Sequence, residues 1–229
     1  MTAVGGGRRL ALRTRVGRLR AAHSYRVVLL LIATVFVFAS VAGDAGWTAS
    51  ILLSLAAATL ATAVWTSGLG SLHSRAVIAV LAAAAALAVA VLIWDKADMA
   101  AAAAVATAVL FLATIVAIAI GVVDQNEVNA QSVTGAVCIY LLFGIVFVFV
   151  YGSMAVLGSG DFFAQGTDGT RALRLYFSYV TLATLGYGDY TPAGNLGHSL
   201  AVVEALLGQL YLVTVLALLV SRMRGRRED

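Results

Sequence analysis

The chain has 229 residues, 62% of them hydrophobic and only 11% charged, with a formal net charge of +4. Soluble domains carry about 25% charged residues, so this composition excludes an ordinary soluble fold and points to a membrane protein. A single cysteine, Cys138, rules out an intrachain disulfide and supports no cysteine-based metal site. The positive residues sit beside apolar runs, where they orient a chain in the bilayer, and they give no reason to expect a nucleic-acid partner.

Residues 1–25 are rich in glycine and arginine, with Arg8, Arg9, Arg13, Arg15, Arg18 and Arg20 ahead of any apolar run. We read them as a cytoplasmic arm that fixes topology, the alternative being a basic helix lying on anionic lipid headgroups. Ser40-Val41-Ala42 has a faint likeness to a signal cleavage site, but the basic region is too long and the apolar run exceeds the ~7–15 residues of a signal core. Six long apolar runs follow, at Arg26–Gly43, Trp47–Trp65, Arg75–Trp94, Met99–Val123, Val133–Leu157 and His198–Val220. Each is near the ~20 residues that a helix needs to cross the hydrocarbon core. Trp47, Trp65 and Trp94 fall at segment ends, where interfacial aromatics belong. Placing both termini in the cytoplasm groups Arg75, Arg222, Arg224, Arg226 and Arg227 with the N-terminal arginines and leaves Lys96, Arg171 and Arg174 outside. High alanine, valine and arginine with little lysine fits a GC-rich bacterial source and a multi-pass protein of its cell membrane.

The polar stretch 124–132 (DQNEVNAQS) reads as a cytoplasmic linker between the fourth and fifth runs. Residues 158–170 (GSGDFFAQGTDGT) read as an outer rim loop by their glycine density. Arg171 to Ala183 has the length of a short re-entrant helix, with Thr170 or Asp168 available to cap it. After it comes Thr181-Leu182-Ala183-Thr184-Leu185-Gly186-Tyr187-Gly188-Asp189, or T-x-x-T-x-G-Y-G-D. Successive carbonyls can face one axis only if the backbone alternates between left- and right-handed conformations. Gly186 and Gly188 permit that at alternate positions.

These nine residues resemble the selectivity filter of tetrameric potassium channels, whose loop reads TVGYG in its best-known form. The likeness covers Val133 to Val220; the helices before it match only in number and topology. It implies an all-α membrane protein of six transmembrane helices plus a re-entrant pore helix, assembled as a homotetramer because each chain supplies one filter loop. The parts would be a basic arm at 1–25, a four-helix collar at 26–123, the linker at 124–132, the pore domain at 133–220 and a basic tail at 221–229. Potassium, the permeant ion and not a cofactor, would be bound by Thr184, Leu185, Gly186 and Tyr187, with Gly188 completing the loop. Leu185 stands where valine is commonest, but only its carbonyl would face the ion. Tyr176, Phe177 and Tyr179 would form an aromatic cuff around Tyr187. Some relatives pair a pore-helix glutamate with the aspartate after GYG; here that place holds Val180, so Asp189 needs another partner, for which Tyr176 is the candidate.

Beyond the filter, Pro192, Gly197 and Gly208 match the family without a gap. Gly208 lies at the inner-helix hinge, 208 − 188 = 20 positions after the last filter glycine, either as a bend or as a site of close packing. Gln209, Leu212, Leu216 and Val220 would face the cavity, the last two as a hydrophobic gate. Glu204 is the one ionisable residue deep in the sixth run, expected behind the filter, with a structural or a proton-sensing role. His198 is a second candidate for pH sensitivity at the outer mouth. Voltage-gated relatives carry an arginine at every third position of the fourth segment; here residues 99–123 contain no charge at all. At about 2.3 kcal/mol per charge per 100 mV, such a segment gains nothing from the field. A potassium-selective channel with no conventional voltage sensor is therefore the leading expectation. A weakly selective cation channel or a transporter subunit with a filter-like loop is the alternative. No nucleophile, paired carboxylate or metal-ligand cluster suggests an enzyme.

Overall fold

Runs of apolar residues broken by short polar or glycine-containing turns become seven helices in a computed structural model, which describes residues 25–68, 74–93, 97–124 and 130–225. They are α1 (Tyr25–Val41), α2 (Gly46–Thr66), α3 (Ser74–Ile93), α4 (Ala97–Val123), α5 (Ala130–Leu157), α6 (Arg171–Leu182) and α7 (Asn195–Gly225). Among the described residues there is no strand, only two isolated bridges made by Phe163, with Thr167 and with Pro192. Helices α2, α3, α4, α5 and α7 are long and apolar enough to cross a membrane; α1, with 17 residues, falls just below that length. The chain is an all-α, multi-pass membrane protein. The arginine-rich arm, the middle of the 124–132 linker, Trp94, Lys96 and residues 226–229 lie outside the described residues.

Among the first four helices α4 is central, packing on α5 and α2, while α3 packs on α2 and α4. One apolar core joins Val28, Ile32 and Val35 of α1, Leu52 and Leu53 of α2, Phe111 and Ile118 of α4, and Leu142 and Ile145 of α5. Buried alanines such as Ala56, Ala63 and Ala103 let these backbones approach closely. Buried hydroxyls bond the carbonyl one turn back, Thr107 to Ala103 and Thr114 to Leu110 at 2.7 Å each, so these two groups are not left bare in hydrocarbon. Ser50 instead crosses to the Ala88 carbonyl at 2.9 Å, tying α2 to α3.

Helix α7 packs on α5 and α6. Its other faces expose Val202, Leu206, Leu210 and Val213, between 54% and 64% accessible in the single chain. Helix α1 reaches across to α6, where the Phe36 ring meets Tyr179 edge-on at 5.2 Å.

Candidate ion-conduction site

Helix α6 starts at a serviceable N-cap: Thr170 is extended and its hydroxyl accepts from the Leu173 amide at 3.2 Å. Asp168, the other capping candidate, instead accepts from the Phe162 amide at 3.0 Å and closes the rim loop on itself. That loop then grips the chain beyond the filter. Ala193 N donates to Phe162 O and Ala164 N to Thr191 O, both at 2.8 Å. Beneath it Phe162, Phe163, Phe177, Phe147 and Tyr151 form a second buried aromatic core. The segment from Ala183 to Asp189 is thus held by α6 on one side and by the rim on the other.

Between those anchors the backbone alternates. Thr184, Gly186 and Gly188 have φ of +56°, +57° and +77°, all left-handed. The amides of Leu185 and Gly186 both turn back onto the Val180 carbonyl, at 2.9 and 3.4 Å. In a trans peptide the C=O points opposite to the N–H, so the carbonyls of Thr184 and Leu185 face away from α6. They lie on the open side of the chain, where every residue from Ala183 to Asp189 is exposed. Successive carbonyl dipoles aimed to one side of the chain are an arrangement suited to a partly dehydrated cation. Thr184 is the unexpected member, since a β-branched residue resists positive φ more than most. The sequence carries no sign of it apart from the need for alternation itself.

At the outer end Asp189 accepts a hydrogen bond from Tyr176 Oη at 2.7 Å and another from the Tyr190 amide at 3.1 Å. The Tyr187 ring stacks on Tyr176, centroids 6.3 Å apart and planes within 11°. The expected three-membered cuff needs correcting within the chain. Phe177 turns into the rim core, against Tyr151 and Phe163. Tyr179 turns toward the collar and bonds the Leu141 carbonyl at 2.6 Å. At 100° per residue, positions 177 and 179 lie on nearly opposite faces of a helix, so α6 cannot present both to the neighbour that Tyr176 meets.

Behind α6, Glu204 is fully buried. Tyr151 Oη of α5 lies 2.6 Å from one carboxyl oxygen, and Ser178 Oγ of α6 makes a short contact with the other. Four residues on, Gly208 faces the same helix: a Cβ there would stand 2.2 Å from the Leu182 carbonyl oxygen. Gln209 and Leu212 are exposed, and His198 is exposed near the start of α7. Leu216 and Val220 belong to α7, but their side chains lie outside the described residues. Sequence reasoning singled out Glu204 but not Tyr151 or Ser178. A buried carboxyl demands hydroxyl or amide partners, yet only the packing of three helices selects which ones.

A further tie was not visible in the sequence. Asp44, in the turn between α1 and α2, accepts from the Arg171 amide at 3.1 Å and pairs with its guanidinium at 3.5 Å. The same guanidinium donates to Thr48 Oγ1 at 3.1 Å. The collar therefore grips the N-terminus of the pore helix through an acidic group placed where the helix dipole favours it. Asp44 is partly exposed, which limits the pair's worth. Asp44→Ala is expected to lower stability by about 1 kcal/mol, with a smaller loss for Asp44→Asn, which keeps an acceptor; denaturant unfolding in detergent measures both.

Residues 136–225, from α5 to the end of α7, match a family described as "Ion channel". The chain is also 32% identical over 103 residues to the inward rectifier potassium channel Kirbac3.1 of Paramagnetospirillum magnetotacticum. That alignment takes in 44% of this chain and 35% of the relative, so the chain spans about a third of that protein's length. No solved structure matches the chain significantly. The matched residues hold the rim, the pore helix, the alternating loop and the inner helix whose geometry is described above. Along residues 136–225, this multi-pass membrane protein is thus similar to the ion-channel family.

Proposed function

We propose that four copies of this chain form a passive potassium-selective channel in the cell membrane, with both termini in the cytoplasm and Tyr187 toward the outside. The observation that carries the reading is the alternating backbone at Thr184, Gly186 and Gly188, with the Leu185 and Gly186 amides bonded back to Val180. Four such loops around one axis would offer rings of carbonyl oxygens in place of an ion's hydration shell. The match to a potassium channel supports the choice of ion. The exposed filter and the exposed apolar faces of α7 supply surface for neighbouring copies. A leucine such as Leu185, 58% accessible in the single chain, would then leave solvent or lipid on assembly.

The first four helices brace the pore, α1 and α4 leaning on α5 and Asp44 capping α6. Residues 99–123 carry no charge, so the fourth helix has nothing for the membrane field to move. Currents are accordingly expected to show only the weak voltage dependence of ions moving within the filter. Steep activation carrying several gating charges per subunit would overturn that part of the proposal. The test of the whole is potassium and sodium flux into liposomes holding the purified protein, scanned over pH and over anionic lipid content. Equal permeability to both ions would favour a weakly selective cation channel instead.

A further inference from the structure

Three oxygen–oxygen contacts meet around Glu204. Tyr151 Oη approaches one carboxyl oxygen at 2.6 Å, Ser178 Oγ lies against the other, and Ser178 Oγ is also 2.8 Å from the Gly144 carbonyl oxygen. Each contact needs a proton between its oxygens. Two hydroxyls supply two protons, and a carbonyl supplies none. Were Glu204 ionised, Ser178 would serve either the carboxylate or Gly144, leaving two bare oxygens facing each other in a site closed to water.

We propose that Glu204 carries the third proton and is a positioning residue of the pore, donating to Ser178 so that Ser178 can donate to Gly144. The chain of bonds runs from the inner helix α7 through the pore helix α6 to the outer helix α5. It crosses α6 six residues before Thr184, the first left-handed residue of the filter. Proton loss removes one link and places an anion among buried groups, so the pore helix loses its fixed seat and potassium flux falls. The titratable group bonded to Glu204 is Tyr151 from α5, and Tyr179 from α6 is close enough to feel its charge while bonding the Leu141 carbonyl. Among the described residues no ion pair reaches it. The arginines of α6 are engaged at its outer end, Arg171 with Asp44 and Arg174 with the carbonyls of Asp168 and Gly169.

The inference rests on the channel reading for its functional half and on hydrogen-bond counting for its chemical half, and two measurements separate them. Infrared spectra of the reconstituted full-length protein at neutral pH should contain a carboxylic-acid C=O band that E204Q lacks. A carboxylate signal in its place overturns the inference, whether or not the protein conducts. In liposome flux, the wild type should lose potassium flux as the pH is raised well above neutral. E204Q, whose amide can donate to Ser178 and accept from Tyr151, should keep its flux across the same range. Alkaline loss that persists in E204Q, or a wild type indifferent to pH, overturns the positioning role. Should E204Q fail to fold, the infrared band and its loss at high pH in the wild type still decide the matter. Absence of potassium flux in the wild type at every pH would sink the channel reading alone.

Discussion

Gly186→Ala is expected to abolish the preference for potassium over sodium in liposome flux. Gly186 sits at φ +57°, and a Cβ there meets nothing within 4 Å in the single chain. The penalty is therefore conformational within the subunit: an L-residue in the left-handed region costs about 1–2 kcal/mol, and the proposed homotetramer would incur it four times. Relaxing that strain means turning the 185–186 or 186–187 peptide. The first movement takes the Leu185 carbonyl out of the orientation that the Gly186 amide holds against Val180, and the second swings the Gly186 carbonyl next to it. Leu185→Val is the matched control. It changes a side chain at the same depth but leaves the glycine free to adopt positive φ, so selectivity should be kept. Unchanged permeability ratios in Gly186→Ala would falsify the filter assignment.

Much of this architecture was legible because a bilayer imposes few solutions. The run Val133–Leu157 becomes α5 at Ala130–Leu157, and the expected re-entrant helix at 171–183 becomes α6 at Arg171–Leu182. Length and apolarity decide such elements without reference to neighbours. What stayed hidden was orientation. Helices that are apolar all round carry no stripe to say which face is buried, so nothing announced that α1 would reach α6 through Phe36 and Tyr179. Nor did anything pair Asp44 with Arg171 across 127 positions of sequence. The split of Phe177 and Tyr179 away from Tyr187 has the same origin, since aromatic content fixes what a helix can offer but not where it points. Thr184 shows the converse. Its residue type argues against φ +56°, yet two flanking constraints, the end of α6 and the Leu185 and Gly186 amides bonded back to Val180, override local preference.

Gly208→Ala distinguishes two roles for the inner-helix glycine by the sign of its effect. If Gly208 serves only as a bend, alanine strengthens α7 by about 1 kcal/mol, since glycine is the poorer helix former. The assembled protein should then melt higher and conduct differently. The geometry favours the opposite outcome. An added Cβ would stand 2.2 Å from the Leu182 carbonyl oxygen and 3.1 Å from its carbonyl carbon, both backbone atoms that no rotamer change can move aside. Forcing a methyl group into such a contact costs about 1–3 kcal/mol, more than helix propensity returns, and four subunits repeat it. Leu182 is the last residue of α6, two positions before Thr184, so any retreat of α6 is passed directly into the filter. We therefore expect Gly208→Ala to lower the thermal stability of the assembled protein and to weaken potassium preference together, read by thermal unfolding in detergent and by liposome flux. A variant that melts higher while keeping its selectivity would assign Gly208 to bending alone, and α7 would owe its seat against α6 to Glu204 and Ser178.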